Sequence, residues 1–222
     1  MESQEILALT EVANAVLVTC SEASRRELFA MGTIRHAETN EVLFEERAPA
    51  GVVLFPLSGN FQFSKTAERG RRQVLCNLTG NGCRGICLLT MAERSLADIV
   101  ALAPGDLLMV ERRDFQRLAR TDPVLCQAGW QAAVECMSHL SNLVEHLSFR
   151  KVAERVALTL LENSAQDGDI VRLTQSDLAA EVGTTREVVA RCLAGLQSVG
   201  AVRLGRARIT VISREKLARE TG

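Results

Sequence analysis

The sequence predicts an α+β protein, in which a strand-rich N-terminal region, a long helix and a small C-terminal module follow one another along 222 residues. Three observations support this prediction. Short apolar runs recur roughly every ten residues between Gly32 and Asp114. Apolar residues then recur at helical spacings over residues 122–147. Two short helical patterns joined by a glycine finally precede a strand-like hairpin.

The strand-rich region is expected to form a small antiparallel barrel or sandwich. A short helix from Ser21 to Met31 precedes it. The candidate strands lie in EVLFE (41–45), GVVLFPLSGNFQFSK (51–65), RQVLCNL (72–78), DIVAL (98–102) and DLLMV (106–110). Glycines and the Pro104-Gly105 pair separate these runs, and both residue types are preferred in tight turns.

A long helix is predicted after Asp122-Pro123, and it extends to about His146. Its small and apolar residues recur at spacings of three and four: Gly129, Ala132, Cys136, Leu140, Leu143 and Leu147. Such a stripe packs either against the rest of its own chain or against a second helix in a coiled coil. A further amphipathic helix is expected over residues 148–164, which places a hinge near Leu147-Ser148.

Two helix starts are predicted in the C-terminal module. Thr174 followed by Asp177 combines an N-cap oxygen with an acid at the third helical position. Thr184 followed by Glu187 has the form of a capping box, and Gly183 supplies the turn before it. Two short helices around a tight turn are the parts of a helix-turn-helix.

The second helix of this pair has two chemically different faces. At 100° per residue, one face is predicted to be buried and contains Val188, Val189, Cys192, Leu193 and Leu196. The other face is predicted to be open to a partner and contains Arg186, Glu187, Ala190 and Arg191. Arginine can donate twice to guanine and glutamate can accept from cytosine, so this face suits G·C pairs in a major groove.

A basic hairpin is expected behind the second helix. It runs from Ala201 to Leu204, turns at Gly205-Arg206-Ala207 and returns over residues 208–212. Its arginines would form a wing beside a duplex, where phosphates are the natural partners. The candidate phosphate contacts are Arg203, Arg206 and Arg208 on the wing, and Thr174, Thr184 and Thr185 at the helix starts.

The segment TTREVVARCLAGLQSVGAV resembles the recognition helix of the cyclic-AMP receptor protein and FNR superfamily of bacterial regulators. Arg186, Glu187 and Arg191 match its R-E-x-x-x-R pattern, which implies that they read bases. LFPLSGNFQFSK and ERSLADIVALAPGDLLMVERRDFQRL are similar to parts of the family's cyclic-nucleotide-type β-roll.

The resemblance implies a sensor β-roll over residues 1–121, a dimerisation helix over 122–147 and a winged helix-turn-helix over 148–222. It also implies a homodimer on a pseudo-palindromic double-stranded DNA site, with RNA polymerase as a further partner. The implied dimer seam consists of Ala132, Cys136, Leu140, Leu143 and Leu147.

The family's nucleotide cassette is only partly present. A cyclic nucleotide needs a glutamate for the ribose hydroxyl and an Arg-Ser pair for the phosphate. Arg94-Ser95 is present, but Ile86 occupies the position of the carboxylate. An unpaired hydroxyl costs about 1–3 kcal/mol, so a cyclic nucleotide is the less favoured effector.

Two cysteines occupy this cassette instead. Cys83 and Cys87 flank Arg84, and Cys76 lies seven residues upstream of Cys83. A nearby guanidinium lowers the pKa of a thiol, so the favoured hypothesis is a redox or reactive-sulfur switch without a cofactor. Buried structural thiols, or ligands of a metal, an iron–sulfur cluster or haem, are the alternatives. Cys20 is the only cysteine near the N-terminus, which disfavours the FNR-type iron–sulfur cluster. No histidine lies between residues 37 and 138, which disfavours haem.

Charge and composition fit this assignment. Residues 148–222 contain 12 Lys/Arg and 9 Asp/Glu, whereas the rest contains 14 and 18, so positive charge is concentrated in the C-terminal module. No phosphate-binding loop, dinucleotide fingerprint or Ser/His/Asp grouping suggests an enzyme. The N-terminus lacks a secretion signal and no apolar run approaches the ~20 residues of a membrane span, which predicts a cytoplasmic protein.

Overall fold

The computed structural model describes residues 14–79 and 86–221. These residues form two compact units. The first reaches to Lys65 and resumes over Leu75–Leu140, and the second contains Thr66–Val74 and the residues from Ser141 onward. No helix in the described ranges combines the length and apolar character that crossing a membrane requires.

In the N-terminal part, two short helices precede a run of antiparallel strands, and a third short helix follows the strands. In chain order they are α1 (Ala15–Thr19), α2 (Glu22–Met31), β1 (Thr33–Ala37), β2 (Val42–Phe44), β3 (Val52–Pro56), β4 (Asn60–Thr66), β5 (Arg72–Thr79), β6 (Asp98–Ala103), β7 (Gly105–Glu111) and α3 (Arg112–Ala119). The long helix α4 follows over Pro123–Phe149. The predicted helix after Ser21 and every predicted strand are confirmed.

The strands form two sheets, with the orders β1-β7-β3 and β2-β6-β4-β5. The predicted antiparallel roll is therefore confirmed. The strand β1 was not predicted from the sequence. Only one of its five residues, Ala37, is buried, and its sequence shows no apolar alternation.

The strand β3 is buried on both faces and forms the middle of a layered core. Val53 and Phe55 pack into a cluster with the helices, and Val52 and Leu54 pack into a second cluster with Phe61 and its neighbours. This alternation follows from the two-residue period of a strand.

The β3–β4 and β6–β7 turns approach each other too closely for side chains. A β-carbon on Gly59 would lie 2.8 Å from the Gly105 Cα, and one on Gly105 would lie 2.5 Å from the Ser58 carbonyl oxygen. Gly59 also has a φ of +80°, which is strained for other residues. The turns predicted at these glycines therefore require glycine.

The first half of α4 packs against its own chain. Leu125, Ala128 and Ala132 belong to the cluster that includes α1, α2 and α3, and a β-carbon on Gly129 would lie 3.6 Å from the Phe115 ring. Ala132, which was predicted to lie in the dimer seam, is 5% exposed and packs within its own chain. Small residues at this spacing serve close packing within the chain.

The C-terminal module contains α5 (Val152–Glu162), β8 (Ile170–Val171), α6 (Gln175–Val182), α7 (Arg186–Ser198), β9 (Val202–Gly205), β10 (Arg208–Val211) and α8 (Arg214–Arg219). Its three strands form an antiparallel sheet in the order β8-β10-β9. The helix α4 continues two residues beyond the predicted hinge, and the chain leaves the helical path at Arg150-Lys151 before α5.

Candidate nucleic-acid interface

The start of α6 is fixed by the predicted cap. The Thr174 hydroxyl accepts a hydrogen bond from the Asp177 backbone N–H at 3.1 Å, and the Asp177 carboxylate accepts one from the Thr174 backbone N–H at 3.1 Å. The same hydroxyl donates to the Asp177 carboxylate at 2.6 Å. Thr174 is therefore already occupied in a reciprocal capping box, which orients α6.

The turn between α6 and α7 differs from the sequence prediction. Gly183 has a φ of +68° and its N–H donates to the Ala179 carbonyl, as does that of Thr184 at 2.9 Å. The backbone N–H of Thr184 thus takes part in closing α6. The N-cap of α7 is Thr185, one residue later, so the predicted Thr184–Glu187 capping box is wrong.

The helix α7 has the predicted two faces. Val189, Leu193 and Leu196 are buried in the module's core. Val188 and Cys192 are half-buried, and Cys192 packs against the same core, where burial raises the pKa of its thiol. The predicted buried face is thus complete at three positions and partial at two.

The opposite face presents its charges to solvent. Arg186, Glu187 and Arg191 are all exposed. Hydrogen bonds from the Glu187 backbone N–H and from Thr185 lower the pKa of the Glu187 carboxyl, so it is ionised at neutral pH. The face therefore offers two guanidinium donors and one carboxylate acceptor on a rigid helix, which are the groups needed to read base edges.

The wing has the predicted alternation. Arg208 pairs with Gly205 across the hairpin, and Arg206 and Ala207 form the turn. Ile209 and Val211 are buried, whereas all three wing arginines, Arg203, Arg206 and Arg208, are exposed. A shallow cleft of about 260 Å³ lies between α6, α7 and the wing, and Arg186 and Arg208 both line it. The structure thus brings a base-reading candidate and a wing arginine together.

The threonines predicted to contact phosphate have different environments. Thr185 is exposed at the start of α7, and Thr184 is half-buried in the turn. Thr174 is exposed, but its hydroxyl is held by Asp177. Thr185 is therefore the best placed of the three.

Two of the three cysteines predicted to sense a signal, Cys76 and Cys87, lie in or beside the roll. Cys87 is buried and exchanges backbone hydrogen bonds with Leu54. Both residues belong to the core cluster that contains Phe61, and the half-buried Cys76 packs against this cluster. Cys83 lies outside the described residues. No group of three or more His, Cys, Asp or Glu side chains within residues 14–79 and 86–221 could hold a metal ion.

The remnants of the nucleotide cassette are used within the fold. Ile86 is buried in the cluster that includes the helices. The Ser95 hydroxyl is buried and donates to the Ala97 carbonyl at 2.7 Å, and Arg94 donates to the Arg47 carbonyl at 2.9 Å. The Ser95 hydroxyl, one of the groups that a cyclic phosphate would need, is therefore used within the fold.

An apolar stripe on α4 was missed in the sequence. Trp130, Val134, Met137 and Val144 are exposed and, together with Ser141, follow the spacing of alternately four and three residues that defines a coiled-coil seam. In contrast, Leu143 and Leu147 of the predicted seam line a small cleft together with Arg155 of α5. Two neighbouring stripes of α4 are therefore apolar, and Leu147 of the predicted seam is itself 39% exposed.

Comparisons with known proteins agree with this architecture. Residues 34–122 match the cyclic nucleotide-binding domain family, and residues 154–220 match the Crp-like helix-turn-helix domain family. The chain is 31% identical over 156 residues to the cyclic AMP receptor protein of Thermus thermophilus, covering 69% of this chain and 72% of that protein.

Two further similarities extend over most of the sequence. The nitrogen fixation regulation protein FixK of Azorhizobium caulinodans is 27% identical, over 94% of this chain and 86% of that protein. The fold is similar to that of a CooA mutant from Carboxydothermus hydrogenoformans, with a TM-score of 0.76 and 17% identity over 96% of this chain and 97% of that chain. The chain therefore belongs to the CRP/FNR family, whose members are DNA-binding transcription regulators and not enzymes.

Proposed function

We propose that the chain is a homodimeric regulator that recognises a pseudo-palindromic DNA site, with Arg186, Glu187 and Arg191 reading base edges. The exposure of these three side chains on a helix whose other face is core carries the proposal. Each arginine can donate twice to one guanine, and Glu187 can accept from a cytosine amino group. RNA polymerase stays a predicted further partner.

The phosphate contacts come from the wing in this proposal. Arg203, Arg206 and Arg208 are exposed around the hairpin turn, and Thr185 is exposed at the start of α7. Contacts to phosphate set register and affinity but carry no sequence information. The module thus separates specificity, on α7, from general affinity, on the wing.

The second copy of the chain is expected on the exposed stripe of α4. Met137 is 72% exposed and Trp130 is 71% exposed, and apolar side chains of this size in a continuous stripe indicate an interface. The heptad spacing fits a parallel pair of identical helices, which presents two copies of α7 to half-sites about one helical turn apart.

The signal is proposed to act through the segment of the roll that contains Cys83 and Cys87. Two observations support this assignment: Ile86 and Ser95 are committed to the core, and Cys87 sits on a bridge to the central strand β3. Oxidation of the two thiols to a disulfide would release two protons and pass two electrons to a peroxide or polysulfide. Such a bond would tether the segment next to β3.

Selection of bound sequences from random DNA tests the base-reading proposal. We expect a two-fold symmetric site with G·C pairs in each half, and recovery of no preferred sequence would overturn the base-reading proposal.

For the signal, mass spectrometry and DNA binding should be measured before and after polysulfide treatment. A Cys83→Ser/Cys87→Ser protein that still responds would reject the thiol switch, and a visible absorption spectrum would instead point to haem or an iron–sulfur cluster.

A further inference from the structure

The tip of the β4–β5 hairpin carries a basic cluster in the same compact unit as the helix-turn-helix. This tip, Thr66–Val74, contains three arginines and one glutamate in nine residues. Arg69 and Arg71 are exposed, and neither forms an ion pair with any residue of the described ranges. The tip therefore presents at least two uncompensated positive charges.

The tip is attached to the end of α6. The Gln73 carboxamide donates hydrogen bonds to the Glu181 carbonyl at 3.2 Å and to the Val74 carbonyl at 2.8 Å. Glu181 lies in the last turn of α6, where backbone carbonyls lack partners within the helix. A β-carbon on Gly183 would collide with the Gln73 side-chain oxygen, so the tip lies directly against the turn between α6 and α7.

An open cleft of about 410 Å³ separates the tip from the start of α7. Four arginines line this cleft, three from the tip and Arg186 from α7, against the two carboxylates of Asp177 and Glu187. Asp177 is committed to the α6 cap. Burial, together with the charge of Arg71, lowers the pKa of the nearby Arg155, so Arg71 is close to another cation. The cleft is suited to an anion.

The tip flanks the reading face and does not cover it. Arg186, Glu187 and Arg191 are exposed with the tip in place. The anions nearest to a helix in a major groove are the phosphates at the groove's edge. An exposed basic tip beside the reading helix would be stabilised by neutralising these phosphates.

We infer that the hairpin tip is an accessory DNA-binding arm, in which Arg69 and Arg71 contact backbone phosphates beside the half-site. This inference rests on the proposed DNA-reading role of α7 and adds a contact from outside the winged module. The arm contributes affinity without sequence preference, because phosphates are the same at every base pair.

The test is the salt dependence of DNA binding by the full-length Arg69→Ala/Arg71→Ala protein. The slope of log K against log salt should become shallower by about 0.9 for each phosphate that the variant no longer neutralises. The ratio of affinities for the selected site and a scrambled duplex should stay unchanged. The matched control is Arg26→Ala/Arg35→Ala, which removes the same charge from exposed ion pairs elsewhere.

If the slope of log K against log salt were the same for the Arg69→Ala/Arg71→Ala protein as for the control, the proposed DNA-binding role of the tip would be wrong. A changed ratio of specific to scrambled affinity would also overturn it, because the tip would then take part in base reading. These outcomes differ from failure of the proposed function, in which the unmodified protein would select no DNA sequence at all.

Discussion

Asp122 and Ser21 lie 101 residues apart in sequence, and the Asp122 carboxylate accepts a hydrogen bond from the Ser21 backbone N–H at 3.2 Å. The same carboxylate accepts from the Val124 backbone N–H at 2.8 Å at the start of α4. One side chain therefore joins the beginnings of α2 and α4. Burial opposes its ionisation, but hydrogen bonds from Ser24 and Ser21 outweigh burial and lower the pKa of Asp122 from 3.8 to about 2.

Replacing this carboxylate should destabilise the roll. Asp122→Ala is expected to lower the free energy of unfolding by about 1–3 kcal/mol at neutral pH, because it removes a helix cap and leaves buried N–H groups unpaired. A lowered folded-state pKa contributes stability above the unfolded value, and this is lost as pH falls through the folded value. The difference from the unmodified protein should therefore shrink between about pH 4 and pH 2, as measured by urea unfolding. A difference that does not depend on pH would contradict this assignment.

The two sets of arginines should respond differently to substitution. Arg186→Ala should cost about 1–3 kcal/mol on the selected site and relax the preference at one G·C pair in each half-site. Arg206→Ala should weaken binding to all duplexes equally, because its proposed partner is a phosphate. Fluorescence anisotropy with single-base variants of the site measures both. If Arg186→Ala lowered the affinity for every sequence equally, Arg186 would not be a base-reading residue.

A charge in the exposed α4 stripe should prevent dimerisation. Met137→Glu places a carboxylate in the proposed seam, so sedimentation should show a monomer. Affinity for the full site should fall by about 10²–10⁴, because the two half-sites no longer bind as one unit. Val42→Glu is the control, since Val42 is 52% exposed on β2 and outside the stripe. A dimeric Met137→Glu protein would place the seam elsewhere.

Gly183 and Gln73 should be energetically coupled. Gly183→Ala is expected to cost on the order of 1–3 kcal/mol, because φ is +68° and the added carbon meets the Gln73 carboxamide. Combining it with Gln73→Ala removes the contact with Gln73, but it removes neither the 2.9 Å approach to Leu147 Cδ2 nor the backbone strain. A double-mutant cycle in thermal unfolding should give a coupling of about 0.5 kcal/mol or more. Additive effects would indicate that the tip does not rest on this turn.

The thiols should differ in reactivity. Burial, and then the charge of Asp122, raises the pKa of Cys20 to about 11, so this thiol is protonated at neutral pH. Cys126 is exposed on α4. Alkylation at neutral pH followed by peptide mass spectrometry should modify Cys126 before Cys20 and leave Cys20 unmodified until the protein unfolds. Early labelling of Cys20 would contradict its buried position.

Patterns that depend on neighbouring residues could be predicted from the sequence. The faces of α7 follow from helical periodicity, and the Thr174 cap follows from two residues three positions apart. The start of α7 could not be predicted, because Thr184 and Thr185 are equally good caps and the Gly183 turn decides between them. The sequence does not distinguish the stripe of Ala132 from that of Val134, because both are apolar. The hairpin tip gave no signal, since its importance depends on a contact between Gln73 and Glu181.

The helix α4 carries both the residues that anchor it to the roll and the stripe assigned to the partner. Ala132 faces the core, whereas Val134 and Met137 point into solvent. Inserting one residue between Ala132 and Val134 would turn the stripe by 100° about the helix axis relative to Ala132, whereas inserting seven would restore its direction to within about 20°. The direction of the stripe relative to Ala132 should therefore be kept only by insertions of whole heptads.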